Sequence, residues 1–353
     1  MERKTALVLG ATGGVGGEAA RCLAARGWRV RALNRDPGRV AQAHGFAWIR
    51  GDALVAGDVA MAAEGAALVV HAANPPGYRD WGRLVLPMLD NVIAAAKGNG
   101  ARVLLPGTVY NYGPDTFPDI GEDAPQLPVT AKGQIRAEME RRLRAAAGSG
   151  DIKVLVVRAG DFFGPQPGNS WFSQALVKPG TRPSALRYPG QRGIGHQWAY
   201  LPDVAETMVR LLERGGLDDF ASFHMDGQWD PDGTRMTDAI RRALGGPAVP
   251  VRRLPWWAMR LASPFVPVMR ELLEVKYLWD QPVRLRNDQL LAALGHEPRT
   301  PLDDAVRATL WGLGCLKPIR SLALPEGRDP MRLAATERNV REPSSRPYRR
   351  QAD

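Results

Sequence analysis

Four glycines near the N-terminus have the type and spacing of a phosphate-binding turn. Gly10, Gly13, Gly14 and Gly16 follow the apolar run Thr5–Leu9 and precede a stretch of helix-forming residues. Glycines at such a turn let a pyrophosphate approach the backbone without meeting a Cβ, and the unpaired N–H groups at the start of the helix hold the anion. This order of strand, turn and helix predicts a dinucleotide-binding corner. Its expected contacts are Gly10, Thr12, Gly13, Gly14, Val15 and Gly16.

The residues that follow the second apolar run bear on which dinucleotide is bound. Asn34 and Arg35 stand where NAD-binding proteins usually have an acid that accepts hydrogen bonds from the ribose hydroxyls. An acid would repel a 2′-phosphate, whereas a neutral amide does not and a guanidinium offers it a planar pair of donors. We therefore expect NADP(H) rather than NAD(H). The alternative is that Arg35 is only a solvated surface charge.

Acidic and small residues follow the next two apolar runs. Asp52 is placed either to accept a hydrogen bond from the adenine amino group or to cap the following helix. Ala72, Ala73 and Asn74 have short side chains, which would leave room for the ribose and the nicotinamide. We assign these positions to the cofactor site, with the capping alternative open for Asp52.

Strand and helix patterns alternate along the first 160 residues, which predicts an α/β fold. The expected strands are Thr5–Leu9, Trp28–Leu33, Phe46–Ile49, Ala67–His71, Arg102–Leu105 and Ile152–Val157, and the expected helices are Glu18–Arg26, Leu84–Lys97 and Gln134–Ala147. Such alternation is typical of a doubly wound parallel sheet, the Rossmann fold, which binds ligands at the carboxyl ends of its strands. After Arg158 proline and glycine become frequent and the elements shorten, with one further strand, Phe220–His224, and helices at Met236–Leu244 and Leu302–Leu313.

Composition bounds the remaining possibilities. We expect a dinucleotide-binding domain over 1–165, a substrate or cap region over 166–316 interleaved with late Rossmann elements, and a basic, disordered tail over 317–353. The net charge of +10 lies partly in that tail and shows no basic stripe with interleaved aromatics, so specific nucleic-acid binding is not expected. Cys22 and Cys315 form neither a disulfide framework nor a metal site. No apolar run reaches the roughly 20 residues of a membrane span. We expect a cytoplasmic protein.

Several motifs together resemble the extended short-chain dehydrogenase/reductases, also described as the NAD-dependent epimerase/dehydratase family. The resemblance covers residues 5–315. Its motifs are Gly10–Gly16, Gly51–Asp52, Val109–Pro114, Val157–Pro165 and Trp198–Glu206. It implies a dinucleotide-binding domain joined to a small C-terminal substrate domain, and activity on nucleotide sugars or other carbonyl and hydroxyl compounds.

The resemblance also implies a catalytic Tyr-x-x-x-Lys pair on one helix and a Ser or Thr after the fifth strand. In this sequence the Ser/Thr position is Thr108, the tyrosine position is Lys132 and the lysine position is Arg136. The family tyrosine is therefore missing. The resemblance leaves open how a proton would reach the substrate.

Three hypotheses address the missing tyrosine. Lys132 could be the proton donor, because a like charge one turn away and burial would both lower the pKa of its ammonium. Tyr110 or Tyr112 could instead reach the substrate from the loop after the fifth strand. In the third hypothesis the proton-transfer site is lost, and Lys132 and Arg136 only bind the phosphate or ribose of the cofactor.

Further candidates lie in the second half of the chain. Asn169 and Trp171 follow a Gly-Pro loop and would line the substrate pocket or simply pack the cap, and His196 is a weaker substrate candidate. The apolar segment 254–273 predicts a lid over a pocket, a homodimer surface or a membrane-surface helix. We predict an NADP(H)-dependent oxidoreductase or epimerase of a small carbonyl or hydroxyl substrate. The alternative is a catalytically inactive dinucleotide-binding sensor or assembly protein.

Overall fold

The computed structural model describes residues 3–40, 45–75, 80–166, 168, 170–246 and 248–316. Residues up to Leu316 form one compact unit. The predicted tail, 317–353, and the predicted substrate residue Asn169 lie outside the described residues.

The described strands lie mostly in the first two thirds of this unit. They are β1 (Thr5–Leu9), β2 (Arg29–Asn34), β3 (Ala47–Arg50), β4 (Leu68–His71), β5 (Arg102–Gly107), β6 (Asp119–Ile120), β7 (Lys153–Arg158), β8 (Asp161–Phe163), β9 (Leu186–Tyr188), β10 (His196–Tyr200), β11 (Phe220–His224), β12 (Gln228–Asp230), β13 (Val251–Arg253) and β14 (Arg284–Leu285).

The α-helices follow the strands along the whole unit. They are α1 (Gly14–Ala25), α2 (Ala56–Ala63), α3 (Trp81–Asn99), α4 (Ala131–Gly148), α5 (Leu201–Arg214), α6 (Arg235–Ala243), α7 (Trp256–Ala262), α8 (Pro267–Glu274), α9 (Asp288–Leu294) and α10 (Leu302–Gly312).

The central element is a seven-stranded parallel sheet in the order β11-β7-β5-β4-β1-β2-β3. The direction of the chain along the sheet reverses between β1 and β4, which is the switch point of a doubly wound fold. The inner strands are mostly apolar because helices cover both faces. This arrangement confirms the predicted Rossmann fold and brings the carboxyl ends of β1, β2, β4 and β5 to one edge.

Helices pack on each face of the sheet through separate hydrophobic cores. On one face Leu23 of α1 and Met208 of α5 pack with Val8 of β1. On the other, Leu89 of α3 and Leu143 of α4 share a core with other strand residues. Burying both faces fixes the sheet register, because a shift of one residue would exchange the two sets of side chains.

A third core lies in the C-terminal half and is strongly aromatic. Trp198 of β10, Phe163 of β8 and Trp279 are each almost completely buried there, with α6 and α10 packed around them. Edge-to-face contacts join these rings. This cluster supports the residues that follow β7 at the carboxyl edge of the sheet.

Among the helices that begin earlier than the sequence predicts are α1 and α4. α1 begins at Gly14 rather than Glu18, directly after the extended residue Gly13. α4 begins at Ala131 rather than Gln134, because the Thr130 hydroxyl accepts a hydrogen bond from Gly133 N at 3.0 Å and caps the first turn. Both early starts place a helix N-terminus near the edge where β1 and β5 end.

Candidate functional site

The glycine turn between β1 and α1 has no space for larger residues. Gly10 has a φ of +88°, and a Cβ there would lie 2.5 Å from the carbonyl oxygen of Ala72. A Cβ at Gly16 would meet the carbonyl oxygen of Gly10. The turn is therefore packed against the end of β4, and the first turn of α1 has no acidic side chain.

A cavity of about 450 Å³ lies at this edge of the sheet. Every position predicted for cofactor binding lines it except Lys132. The lining positions are Gly10, Thr12, Gly13, Gly14, Val15, Gly16, Asn34, Arg35, Asp52, Ala72, Ala73 and Asn74. A bare helix N-terminus, a glycine cradle that a Cβ would fill and an elongated cleft along the strand ends fit a dinucleotide.

The adenosine end of the cavity is formed by the ends of β2 and β3. Asn34 Oδ1 accepts a hydrogen bond from Asp36 N at 2.8 Å, so this amide holds its own turn. Arg35 is exposed, lines the cavity and makes no ion pair with any residue that the structure describes. Its guanidinium is available to an anionic ligand.

Asp52 lines the same end and stabilises the turn before α2. Its Oδ1 accepts a hydrogen bond from Leu54 N at 3.0 Å, and its own N–H donates to Asp58 Oδ2 at 2.8 Å. The N-cap position of α2 is Val55, three residues after Asp52. Asp52 thus stabilises the turn before α2 but is not the N-cap residue of that helix.

Lys132 lies in the first turn of α4 but is not among the described residues that line the cavity. Its Nζ lies 2.6 Å from Glu271 Oε2 and 2.7 Å from Glu274 Oε2, and only 3% of its side chain is exposed. Its backbone N–H also donates to Glu274 Oε1 at 2.9 Å. Two carboxylates of α8 therefore bind this ammonium. A proton donor would have to line the cavity, and Lys132 does not.

Arg136, one turn further along α4, does line the cavity. Its Nη2 donates to Asn74 Oδ1 at 2.9 Å, and its guanidinium carbon lies 5.1 Å from the centre of the Trp81 ring. Burial, together with the charge of Arg136, lowers the pKa of the nearby His71 to about 3. His71 is accordingly a neutral core residue, as expected from its place in a buried strand.

The loop after β5 separates its two tyrosines. Thr108 and Tyr110 line the cavity. Tyr112 is buried, and its hydroxyl lies 3.1 Å from His224 Nε2 in the protein interior. Burial raises the pKa of Tyr112. The structure thus leaves Tyr110, and not Tyr112, at the cavity.

Tyr112 belongs to a buried network that sequence reasoning missed. Arg158 donates through Nη2 to both carboxylate oxygens of Glu140, at 2.8 and 2.7 Å, and through Nε to His224 Nε2 at 3.1 Å. His224 Nδ1 lies 3.3 Å from the Ile120 carbonyl oxygen, so the proton of the neutral ring is assigned to Nδ1. Burial, followed by the charge of Arg158, lowers the pKa of His224 to about 3.

This network also fixes the backbone at Thr108. Arg158 Nη1 donates to the Thr108 carbonyl oxygen at 2.6 Å, while Thr108 Oγ1 lies 3.1 Å from Asn111 Oδ1. Asn111 in turn donates to Glu140 Oε1 at 2.9 Å. The hydroxyl predicted to orient substrate is therefore held by a rigid support.

Of the two predicted substrate residues that the structure describes, one lines the cavity and the other does not. Trp171 lines the cavity and packs against Trp256 and Trp279 at ring-centre distances of 5.8 and 5.5 Å. His196 is buried behind the lining, with Nε2 2.7 Å from Asp161 Oδ2. Asp161 itself lines the cavity.

Sequence reasoning missed several residues at this end of the cavity, including Asp161. The available signal was its position directly after β7, at the sheet edge where ligands bind. Other lining residues that the sequence did not indicate include Trp81, Leu84, Met88, Phe162, Ser170, Gln174 and Leu272.

The apolar segment 254–273 forms α7, α8 and the turn between them. On one side Leu272 lines the cavity, and Trp256 Nε1 donates to the Pro189 carbonyl oxygen at 2.8 Å. On the other side Trp257 and Phe265 are 72% and 85% exposed. The segment therefore contributes Leu272 to the cavity wall and presents an exposed apolar surface elsewhere.

The described part of the chain contains neither a membrane-spanning helix nor a group of metal ligands. No described helix has the length and apolar character needed to cross a membrane. Nor do the residues searched include a group of three or more His, Cys, Asp or Glu side chains placed to hold a metal ion.

Comparisons with known proteins agree with this architecture. A sequence model of the NAD dependent epimerase/dehydratase family matches residues 6–220. None of the curated proteins matches the sequence. Among solved structures, UDP-glucose 4-epimerase from Brucella ovis in complex with NAD is 17% identical with a TM-score of 0.69, covering 88% of this chain and 98% of that one.

Two further structures have similar scores. The Bordetella bronchiseptica enzyme WbmH in complex with NAD+ is 18% identical with a TM-score of 0.66, and MoeE5 in complex with UDP-glucuronic acid and NAD is 17% identical with a TM-score of 0.67. Each alignment covers 88% of this chain and 98% of the other. At these identities the likeness concerns the fold.

Proposed function

Because the chain belongs to the NAD-dependent epimerase/dehydratase family, we propose that it is an NADP(H)-dependent oxidoreductase or epimerase acting on a small carbonyl or hydroxyl compound. The observation that carries this proposal is the single cavity that runs from the glycine turn and Arg35 past Thr108 to Trp171. The dinucleotide, when bound, supplies or accepts a hydride at its nicotinamide.

The glycine turn and the strand ends would hold the dinucleotide. The first turn of α1 binds the pyrophosphate, and the short side chains Ala72 and Ala73 leave space for the nicotinamide ribose. Arg136 contributes a positive charge near that ribose, held by its bond to Asn74.

The preference for NADP(H) is supported by the residues after β2. Arg35 is exposed at the cavity, and the neutral Asn34 stands where an acid would repel a 2′-phosphate. The similar structures contain NAD, so this preference distinguishes the chain from them.

The walls beyond the dinucleotide positions favour a substrate with an apolar body. Trp171, Phe162 and Leu272 contribute apolar surface, and Thr108 and Asp161 contribute polar groups near the strand ends. Two of the similar structures carry UDP sugars or act on them by name. For this chain the aromatic wall and the apolar α7–α8 cover favour a smaller and less polar compound.

The contrasting function is a dinucleotide-binding sensor or assembly protein without turnover. The observation in its favour is that Lys132, at the family tyrosine position, pairs with Glu271 and Glu274. The exposed apolar face of α7 and the following turn would then serve a homodimer contact, with Trp257, Leu261 and Phe265 at its centre.

Purified protein separates the two functions. NADPH and NADH are titrated separately by fluorescence, and a panel of small aldehydes, ketones and the corresponding alcohols is then tested for change in nicotinamide absorbance. Turnover of any member supports the enzyme. Tight NADPH binding without turnover supports the sensor, and failure to bind either dinucleotide contradicts both.

A further inference from the structure

Among the described residues that line the substrate end of the cavity, Asp161 is the only acid. Gly107 at the end of β5 is the register partner of Arg158 at the end of β7, so Thr108 and Asp161 leave neighbouring strands at the same edge. Both line the cavity. Thr108 and Asp161 therefore border the same cavity at the same edge of the sheet.

His196 holds this carboxylate from behind. Its Nε2 lies 2.7 Å from Asp161 Oδ2, and only 7% of its side chain is exposed. The ring stacks on Trp279 with centres 3.6 Å apart and planes at 11°. β10 pairs with β8 through the Trp198–Asp161 register, which fixes the two backbones as well.

The other ring nitrogen indicates the tautomer. His196 Nδ1 is buried and has no hydrogen-bond partner among the described residues. A proton on Nδ1 would be a buried donor without an acceptor, whereas a proton on Nε2 is shared with Asp161. The ring therefore donates from Nε2 to Oδ2, and Oδ1 of Asp161 accepts no hydrogen bond from the described residues.

We infer that Asp161 is the proton-transfer group of this enzyme and that His196 is its positioning residue. The inference rests on the proposed function. In the oxidative direction the substrate O–H bond breaks, its proton passes to Asp161 Oδ1, and the carbon loses a hydride to the bound nicotinamide as the C–O bond becomes a carbonyl. In the reductive direction the same carboxyl group returns the proton to the new alkoxide.

The structure favours Asp161 over two of the groups named from the sequence. Lys132 is enclosed by Glu271 and Glu274, and Tyr112 is buried against His224. Tyr110 lines the cavity as Asp161 does, so the test must compare these two.

The experiment measures kcat, KM and NADPH affinity for Asp161→Asn and Tyr110→Phe on a panel compound that the native enzyme turns over. We expect Asp161→Asn to lower kcat by about 100-fold or more, the usual contribution of a general acid–base, with NADPH affinity and melting temperature close to native. Tyr110→Phe should lower kcat at least tenfold less than Asp161→Asn does. The reverse ranking overturns the inference in favour of Tyr110.

Chemical rescue distinguishes proton transfer from a structural role. Asp161→Ala removes the carboxylate and leaves space, so added formate should restore part of the lost turnover. Restoration fails if Asp161 only supports the fold, and that result overturns the inference. If Asp161→Asn is unstable, Asp161→Ala with and without formate gives the same comparison within one variant.

Two variants of His196 test its positioning role. His196→Gln can keep an N–H donor near the Nε2 position and should retain kcat within about tenfold, whereas His196→Phe keeps the stacking on Trp279 but not the donor and should lower kcat nearly as much as Asp161→Asn. Equal kcat in the two variants overturns the positioning role.

These measurements also distinguish failure of the proposed function from failure of the role of Asp161. A native protein that binds NADPH but turns over no panel compound contradicts the enzymatic proposal, and this role of Asp161 with it. Native turnover that Asp161→Asn leaves unchanged contradicts only the role of Asp161.

Discussion

Lys132 Nζ lies 2.7 Å from Glu274 Oε2, and this contact joins the beginning of α4 to the end of α8. Glu271 accepts from the same ammonium through its side chain and its backbone carbonyl. Since Leu272 lies between these two acids and lines the cavity, the interaction holds one wall of the cavity in place. The resemblance to the family aligns Lys132 with the family tyrosine. In this structure Lys132 instead stabilises α8, which forms part of the cavity wall.

Replacing Lys132 should loosen α8 rather than stop the chemistry. In Lys132→Met, Glu271 and Glu274 lose their shared cation, and we expect a loss of about 1–3 kcal/mol in the free energy of unfolding together with a larger rise in KM than fall in kcat. Thermal melting and steady-state kinetics measure the two effects. Lys97→Ala is the matched control, because the exposed Lys97 makes a surface pair with Asp151. A selective loss of kcat would instead restore Lys132 as the proton donor.

Arg35 should discriminate between the two dinucleotides. Arg35→Ala is expected to weaken NADPH by about 10- to 100-fold, the value of one to two charge-assisted hydrogen bonds, and to change NADH binding little. Titration of each dinucleotide measures the ratio. Arg39→Ala serves as the control, because Arg39 is exposed and pairs with Asp36. Equal weakening of both dinucleotides would contradict the assignment to the 2′-phosphate.

The glycine turn gives a prediction about binding that does not depend on turnover. In Gly16→Ala the new Cβ would meet the carbonyl oxygen of Gly10, so the turn must shift, and NADPH binding should be lost. In Gly57→Ala the Cβ meets no atom within 4 Å, and binding should be native with a gain of up to about 1 kcal/mol in helix stability. Fluorescence titration and melting curves test both variants. Native affinity in Gly16→Ala would exclude this turn from the cofactor site.

Stability should fall in acid because two histidines are buried in the neutral form. Burial is the main reason that the pKa values of His71 and His224 lie at about 3, well below the 6.5 of an exposed histidine. Below pH 6.5 the unfolded chain binds protons that the folded chain does not, so the free energy of unfolding decreases as the pH falls from 6.5 towards 3. Each ring contributes at most about 1.4 kcal/mol per pH unit.

Replacing one ring tests this dependence. His71→Leu should reduce the loss of stability between about pH 7 and pH 5, measured as the urea midpoint, because one proton-binding group is removed. His296→Leu is the control, since His296 is exposed and contacts Arg210. An unchanged pH dependence in His71→Leu would show that other groups govern acid unfolding.

The sequence by itself determined the features that depend on short stretches of chain. The apolar run Thr5–Leu9, the glycines after it and the following helix specify a turn whose geometry is local, and the alternation of strands and helices specifies a parallel sheet. Asn34, Arg35 and Asp52 were found in the same way, because the end of a parallel strand in such a sheet always reaches the ligand-binding edge.

Only the tertiary structure decided which polar groups face the cavity beyond that edge. Lys132 pairs with acids on α8, and Tyr112 is bonded into the buried Arg158–His224 network. Asp161 lies at the cavity at the start of β8, with His196 bonded to it from behind. Each outcome depends on partners distant in sequence, whose positions follow from packing between the sheet and the C-terminal core. A pattern within one helix or loop carries no information about such partners, so motif spacing could not predict which of these polar groups line the cavity.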